Sequence, residues 1–186
     1  PDFIVTKAIP NVVNWPSQNS PRGATKILWL DGNDAAGTGD SYWHDTNPTA
    51  SVWYTGRSSQ TGNTVDYITY CFQSIEGYSK VGSYTGNGNA DGTFVYTGFR
   101  PAYVLSKDTS SANNWAVVDD ARNTYNVSNA RLEPNDTDVE STSLTCFDFV
   151  SNGFKVRTSD PDFNQDTYTY LFLAFAQSPF KYANAR

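Results

Sequence analysis

The chain has 186 residues, of which 17% are charged and 15% aromatic, with a net charge of −6 and a pI near 4.6. Its 13 Lys and Arg are scattered, so no basic cluster exists to displace counterions from a nucleic-acid backbone, which excludes DNA and RNA as partners. No apolar run approaches bilayer thickness, so no membrane insertion is expected.

Twelve Tyr, 11 Phe and 5 Trp sit among abundant Gly, Ser, Thr, Asn and Asp. Large side chains on pleated faces, with turns made by Gly and Asx residues, are the composition of a β-rich extracellular or virion-surface protein. Regular apolar spacing argues against disorder. Methionine is absent, so the chain is expected to be a segment of something longer or a processed product. No signal peptide is read at its start.

In chain order, Ile27-Leu28-Trp29-Leu30 reads as a short strand stopped by Asp31-Gly32-Asn33. Asp31, Asn33 and Asp34 are oxygen-bearing loop residues that would suit Ca²⁺, although Asx turns are the favoured explanation and no cofactor is otherwise implied. Thr64 to Phe72 reads as a strand. Gly82 to Thr97 reads as a hairpin with a Gly/Asn tip, since Gly and Asn tolerate the positive φ of such a tip. Trp115-Ala116-Val117-Val118 is a β-branched strand stopped by Asp119-Asp120. Phe154, Val156 and Thr158 alternate with Lys155 and Arg157, the pattern of a half-buried strand. Thr167 to Ala176 starts in Thr/Tyr alternation and turns apolar on both faces, as a strand covered on both sides would. Its counterpart at 64–72 is expected to behave alike. No window carries a sustained helical apolar period.

The sequence also contains itself twice. Pro1-Asp2-Phe3-Ile4-Val5-Thr6-Lys7 is answered by Pro101-Ala102-Tyr103-Val104-Leu105-Ser106-Lys107, Asn14-Trp15 by Asn114-Trp115, and Thr64–Phe72 by Thr167–Phe175. The offset drifts only from about 100 to about 103 residues. The expected fold is therefore all-β: an antiparallel β-sandwich or jelly roll built from two related halves, residues 1–100 and 101–186. No flexible linker separates them, which favours one shared sandwich over two domains. Cys71 and Cys146 occupy non-equivalent places and read as two buried strand thiols, with a disulfide between the halves left open.

Catalytic chemistry is sparse. Glutamate occurs only at 76, 133 and 140, and His44 is the single histidine. A multi-histidine zinc site is excluded by count, and no phosphate-binding glycine loop precedes a helix. Sugar binding needs less: aromatic faces and a few Asx or Arg groups on loops. The segment Asp40-Ser41-Tyr42-Trp43-His44-Asp45, with Trp53-Tyr54 nearby, is an insertion relative to the second copy. Tyr42, Trp43, His44, Trp53 and Tyr54 are accordingly the candidate glycan-binding residues, on the principle that loops on rigid scaffolds carry recognition. Trp43 and Trp53 could equally be core or subunit-contact residues.

Four stretches together carry a resemblance: Glu76–Gly92, Phe94–Pro101, Ser151–Arg157 and Pro179–Arg186. They resemble the C-terminal part of tail-fibre-like proteins of tailed phages, common in marine and cyanobacterial phages, which carry a repeated concanavalin-like β-sandwich unit. The likeness covers residues 76–186 and, more loosely, 1–75. It implies a virion structural protein on the particle surface, engaged in host adhesion, homotrimeric, and in contact with other virion proteins and host-surface polysaccharide. It brings no catalytic residues. Around Gly37 to Pro48 the chain departs from the usual pattern. A purely structural role, as a capsid decoration or fibre-shaft domain, is the alternative. A polysaccharide-degrading hydrolase fits the sparse His and Glu least well.

Overall fold

A computed structural model describes residues 1–62 and 64–178. The closing stretch 179–186, one of those carrying the resemblance, lies outside the described residues. The elements in chain order are β1 (Phe3–Ala8), β2 (Pro16–Asn19), β3 (Lys26–Trp29), β4 (Gly37–Thr38), α1 (Asp40–Trp43), β5 (Tyr67–Phe72), β6 (Ser79–Thr85), β7 (Phe94–Tyr96), β8 (Pro101–Asp108), β9 (Trp115–Asp119), β10 (Arg131–Leu132), β11 (Phe147–Val150), β12 (Gly153–Val156), α2 (Pro161–Asn164) and β13 (Thr169–Ala176). The fold is all-β, and the strands form three antiparallel sheets: β4-β3-β2-β1-β5, β10-β9-β8-β13-β6 and β11-β12-β7.

Three layers, not two, follow from strand alternation. Leu171 and Leu173 of β13 point with Val81, Leu105 and Trp115 toward the first sheet, where Phe3, Val5 and Leu28 complete one apolar cluster. Tyr170, Phe172 and Ala174 point the other way with Tyr84, Val104 and Val118, against Val95, Phe147, Phe149, Phe154 and Val156 of the third sheet. The second sheet is thus buried on both faces, and this is why β13 reads as apolar throughout. Its counterpart β5 does not behave alike. It closes the edge of the first sheet and leaves Ile68, Tyr70 and Cys71 exposed, so Cys71 is not the buried thiol expected; both cysteines are free.

The duplication is visible as register. Phe3, Val5 and Lys7 of β1 pair with Phe72, Tyr70 and Ile68 of β5. Tyr103, Leu105 and Lys107 of β8 pair with Phe175, Leu173 and Leu171 of β13, the equivalents position by position. Likewise Ile4↔Gln18 in the first copy matches Val104↔Val118 in the second. Even the loop closures repeat: Lys7 Nζ donates to the carbonyls of Asn11 and Val13, and Lys107 Nζ to those of Asp108 and Ser111. Asp31 accepts from the Trp15 backbone N–H as Asn135 does from that of Trp115.

The stretch 82–97 is not a hairpin. β6 pairs with β13 and β7 with β12, so residues 86–93 form a corner crossing from the middle sheet to the third. Buried Asn164 of α2 holds this corner. Its Oδ1 accepts from Asn87 N–H, and its Nδ2 reaches Asn87 Oδ1, Asn89 O and Thr158 O. Strands β6 and β7, which precede residue 100, therefore pair with strands that follow it. Gly82 has a packing reason: a Cβ there would lie 2.5 Å from the Phe172 ring, its cross-strand partner.

Candidate functional site

The third sheet covers one face of the middle sheet. On the corresponding face of the first sheet, which carries Ile4, Thr6 and Gln18, the cover is the insertion between β4 and β5. α1 is a single turn ended by His44 in the left-handed region at φ 54, with the His44 N–H bonded to Asp40 O. Residues 56–61 fold back on it: Gly56 N–H donates to Tyr42 O, Ser58 N–H to Ser41 O and Thr61 Oγ1 to Tyr42 O. The unit is tied to the sheet by Trp29 Nε1 donating to Gln60 Oε1, by Ala24 N–H donating to Asn47 Oδ1, and by Tyr67 Oη donating to Ser59 O.

This architecture redistributes the candidate residues. Trp43 is 0% exposed and packs edge-on against Trp53 at 6.2 Å, so it anchors the insertion and has no face to offer a ligand. It is the one residue of the α1 turn that is buried. Tyr42 is half-buried, edge-on to Trp29 at 6.2 Å. His44 is exposed and Tyr54 half-buried. Of the five, only Trp53 lines one of the cavities described below.

Two cavities lie along the seam between the insertion and the ends of β1, β2 and β5. One, of about 250 Å³, is lined by Ala50, Val52, Trp53, Cys71, Phe72 and Gln73. The other, of about 190 Å³, is lined by Asp2, Ile4, Gln18, Asn19, Asn47 and Pro48, among others. Pro1 borders both. Gln18 is 2% exposed and Asn19 4%, yet neither amide atom of Gln18, nor Asn19 Oδ1, has a hydrogen-bond partner in the protein. Burial opposes ionisation of Asp2, but hydrogen bonds from Ser74 and Ser20 prevail and hold its carboxyl below the usual carboxylate range. The sequence reading missed Gln18. The signal was available in the repeat, where Gln18 stands opposite the apolar Val118 of the second copy.

The remaining chemistry lies elsewhere. Asp31 is spent on the Trp15 N–H, and Asn33 and Asp34 are exposed beside it. Among the described residues the acidic groups that converge are instead Glu133, Asp136 and Asp138, whose ligand atoms lie within 4.8 Å of one another. Asn114 Nδ2 donates to Glu133 and Asp136, and Arg131 pairs with Glu133 at 2.9 Å, so the cluster is already partly neutralised. An apolar cavity of about 420 Å³ opens between the first and second sheets, lined by the equivalent pairs Phe3/Tyr103, Val5/Leu105, Tyr70/Leu173 and Phe72/Phe175. Lys107 is 1% exposed; burial lowers its pKa to about 8, a fall opposed by Asp108 and Asp34.

Among the described residues no helix is long and apolar enough to cross a membrane. None of the curated proteins and none of the solved structures matches the chain. A family model described as "Domain of unknown function (DUF7483)" matches residues 1–179, and the chain belongs to that family.

Proposed function

We propose that this chain is a non-catalytic recognition module of a virion surface protein that binds a host-surface glycan. The observation that carries the reading is the seam between the insertion and the first sheet. It combines a half-buried indole, Trp53, with neutral amide side chains, and it occurs where the second copy carries β11, β12 and α2 instead of a loop unit. An aromatic face contacts the C–H side of a sugar ring, and amides satisfy its hydroxyls. The resemblance of residues 76–101 and 151–157 to phage tail-fibre units supports the virion setting.

The test compares the native protein with Trp53→Ala on host cells and on extracted surface polysaccharide. Adsorption should fall about tenfold or more while the circular dichroism spectrum is unchanged. The polysaccharide should show no new reducing ends. Undiminished adsorption by a folded Trp53→Ala would remove the seam from the reading.

A second reading has one observation in its favour. β7 closes the third sheet as an edge strand and exposes Phe94 and Tyr96, apolar groups suited to assembly contacts. A Tyr96→Lys variant that dissociates an oligomer seen by sedimentation would support a structural role.

A further inference from the structure

The duplication supplies its own control for the amide cavity. In the second copy Val118 faces Val104 across β8 and β9, both fully buried. In the first copy Gln18 faces Ile4 in the same register. The scaffold therefore accepts valine at this place, and the first copy instead carries a buried amide without a partner. Leaving such a group unpaired is costly, and native proteins keep few. The cost is explained if the group meets a ligand.

Size and chemistry narrow that ligand. Each liquid water occupies about 30 Å³. The cavity, at about 190 Å³, is larger than one or two waters need and smaller than a drug-sized site. Its wall offers the adjacent donor and acceptor of the Gln18 side chain, with Ser20 and Asn47 as further polar residues and Ile4 and Pro48 as apolar contacts. Neighbouring hydroxyls of a sugar ring each donate and accept, which matches a side-chain amide presented edge-on. No Lys, Arg or His lines the cavity, whereas the carboxyl of Asp2 does. An acidic sugar would place a second carboxylate beside Asp2, and neighbouring like charges disfavour binding.

We propose that this cavity is a subsite for a single neutral pyranose unit, held through adjacent hydroxyls by the side-chain amide of Gln18. The assignment rests on the glycan reading above and gives it a specificity element. Because Pro1 borders both cavities, the next unit of the chain falls toward Trp53.

The experiment is an NMR titration of the ¹⁵N-labelled protein with methyl glycosides of glucose, galactose and mannose, and with galacturonic acid. At least one neutral glycoside should shift the Gln18 side-chain amide signals saturably, and galacturonic acid should not. Gln18→Val, the residue the second copy uses, should weaken that binding about tenfold or more while melting no lower than the native protein. The subsite is overturned if no neutral glycoside moves the Gln18 amide, if galacturonic acid binds equally, or if a folded Gln18→Val binds as the native does. The amide titration reads the native protein, so the test survives a variant that fails to fold. Polysaccharide binding lost in Trp53→Ala with a silent Gln18 would reject the subsite and leave the glycan reading intact. A titrating Gln18 in a protein that binds no polysaccharide would do the reverse.

Discussion

The first and second sheets are the same object under two covers. Their strands pair in the same register, and equivalent lysines staple equivalent loops. What differs is the layer laid over the face carrying Ile4 in one and Val104 in the other. In the second copy that layer is a sheet of aromatic strands, and the face beneath it is largely apolar, with buried Ser106 at the place of Thr6 and Val118 at that of Gln18. In the first it is a loop unit with one helical turn, and the face beneath it keeps Thr6 and Gln18, buried and polar. A duplicated scaffold conserves pairing, while the cover and the side chains beneath it diverge.

The largest effect should separate β13 from β5. Phe172 is fully buried between sheets, whereas its equivalent Thr69 bridges hydroxyls with Thr6 at 2.9 Å near the sheet edge. Phe172→Ala should cost about 3–5 kcal/mol in denaturant unfolding. Thr69→Ala should cost about 1 kcal/mol. Equal costs would mean that the two strands are not differently covered.

Within the insertion the contrast lies between its two indoles. Trp43→Ala should cost about 3–5 kcal/mol and loosen the insertion, since it empties the anchor. Trp53→Ala should cost about 1 kcal/mol, little more than the edge-on ring contact. Limited proteolysis should therefore cut the insertion in the first variant and spare it in the second.

The paired lysines differ in burial, and pH separates them. Below pH 8 Lys107 is charged in both the folded and unfolded chains, so its desolvation penalty is present in full. Between about pH 8 and the ordinary lysine value of about 10.4, the folded chain sheds this proton first. The unfolded chain then binds more protons, and stability rises with pH. Lys107→Met should remove that rise, measured as denaturation midpoints from pH 7 to 10. Lys7→Met, which also loses its carbonyl contacts, serves as the comparison. A rise that persists in Lys107→Met would assign it to another group.

The smallest effect concerns a thiol. Cys71 is exposed on β5, and its equivalent in β13 is Ala174, fully buried. A thiol reagent should modify Cys71 in the native protein within minutes and leave Cys146 intact, because burial removes access and pushes its pKa up to about 12. Rapid native-state labelling of Cys146 would show that the cluster between the second and third sheets opens readily.

Much of this was legible in the residues. Alternation gives β12, β-branching gives β9, and the two-sided apolar run gives β13 together with its central position. The repeat relates β1 to β8 and β5 to β13, while the pairing of β1 with β5 and of β8 with β13 comes from the structure. The corner at 86–93 was not legible, because Gly and Asn suit a hairpin tip and a corner alike, and the residue that decides is Asn164, far along the chain. Trp43 reads as glycan contact or core for a similar reason: a polar, Gly-flanked stretch fits either, and the structure buries the indole. Gln18 was hidden in plain view, since a glutamine between Ser17 and Asn19 looks like surface until compared with Val118.

The position of β13 carries one more consequence. The last described strand inserts between β6 and β8 and supplies both apolar clusters at once. A nascent chain leaving the ribosome cannot close either interior until residue 176 has emerged. Closure of both interiors is therefore governed by distant pairings, a regime in which chains fold slowly.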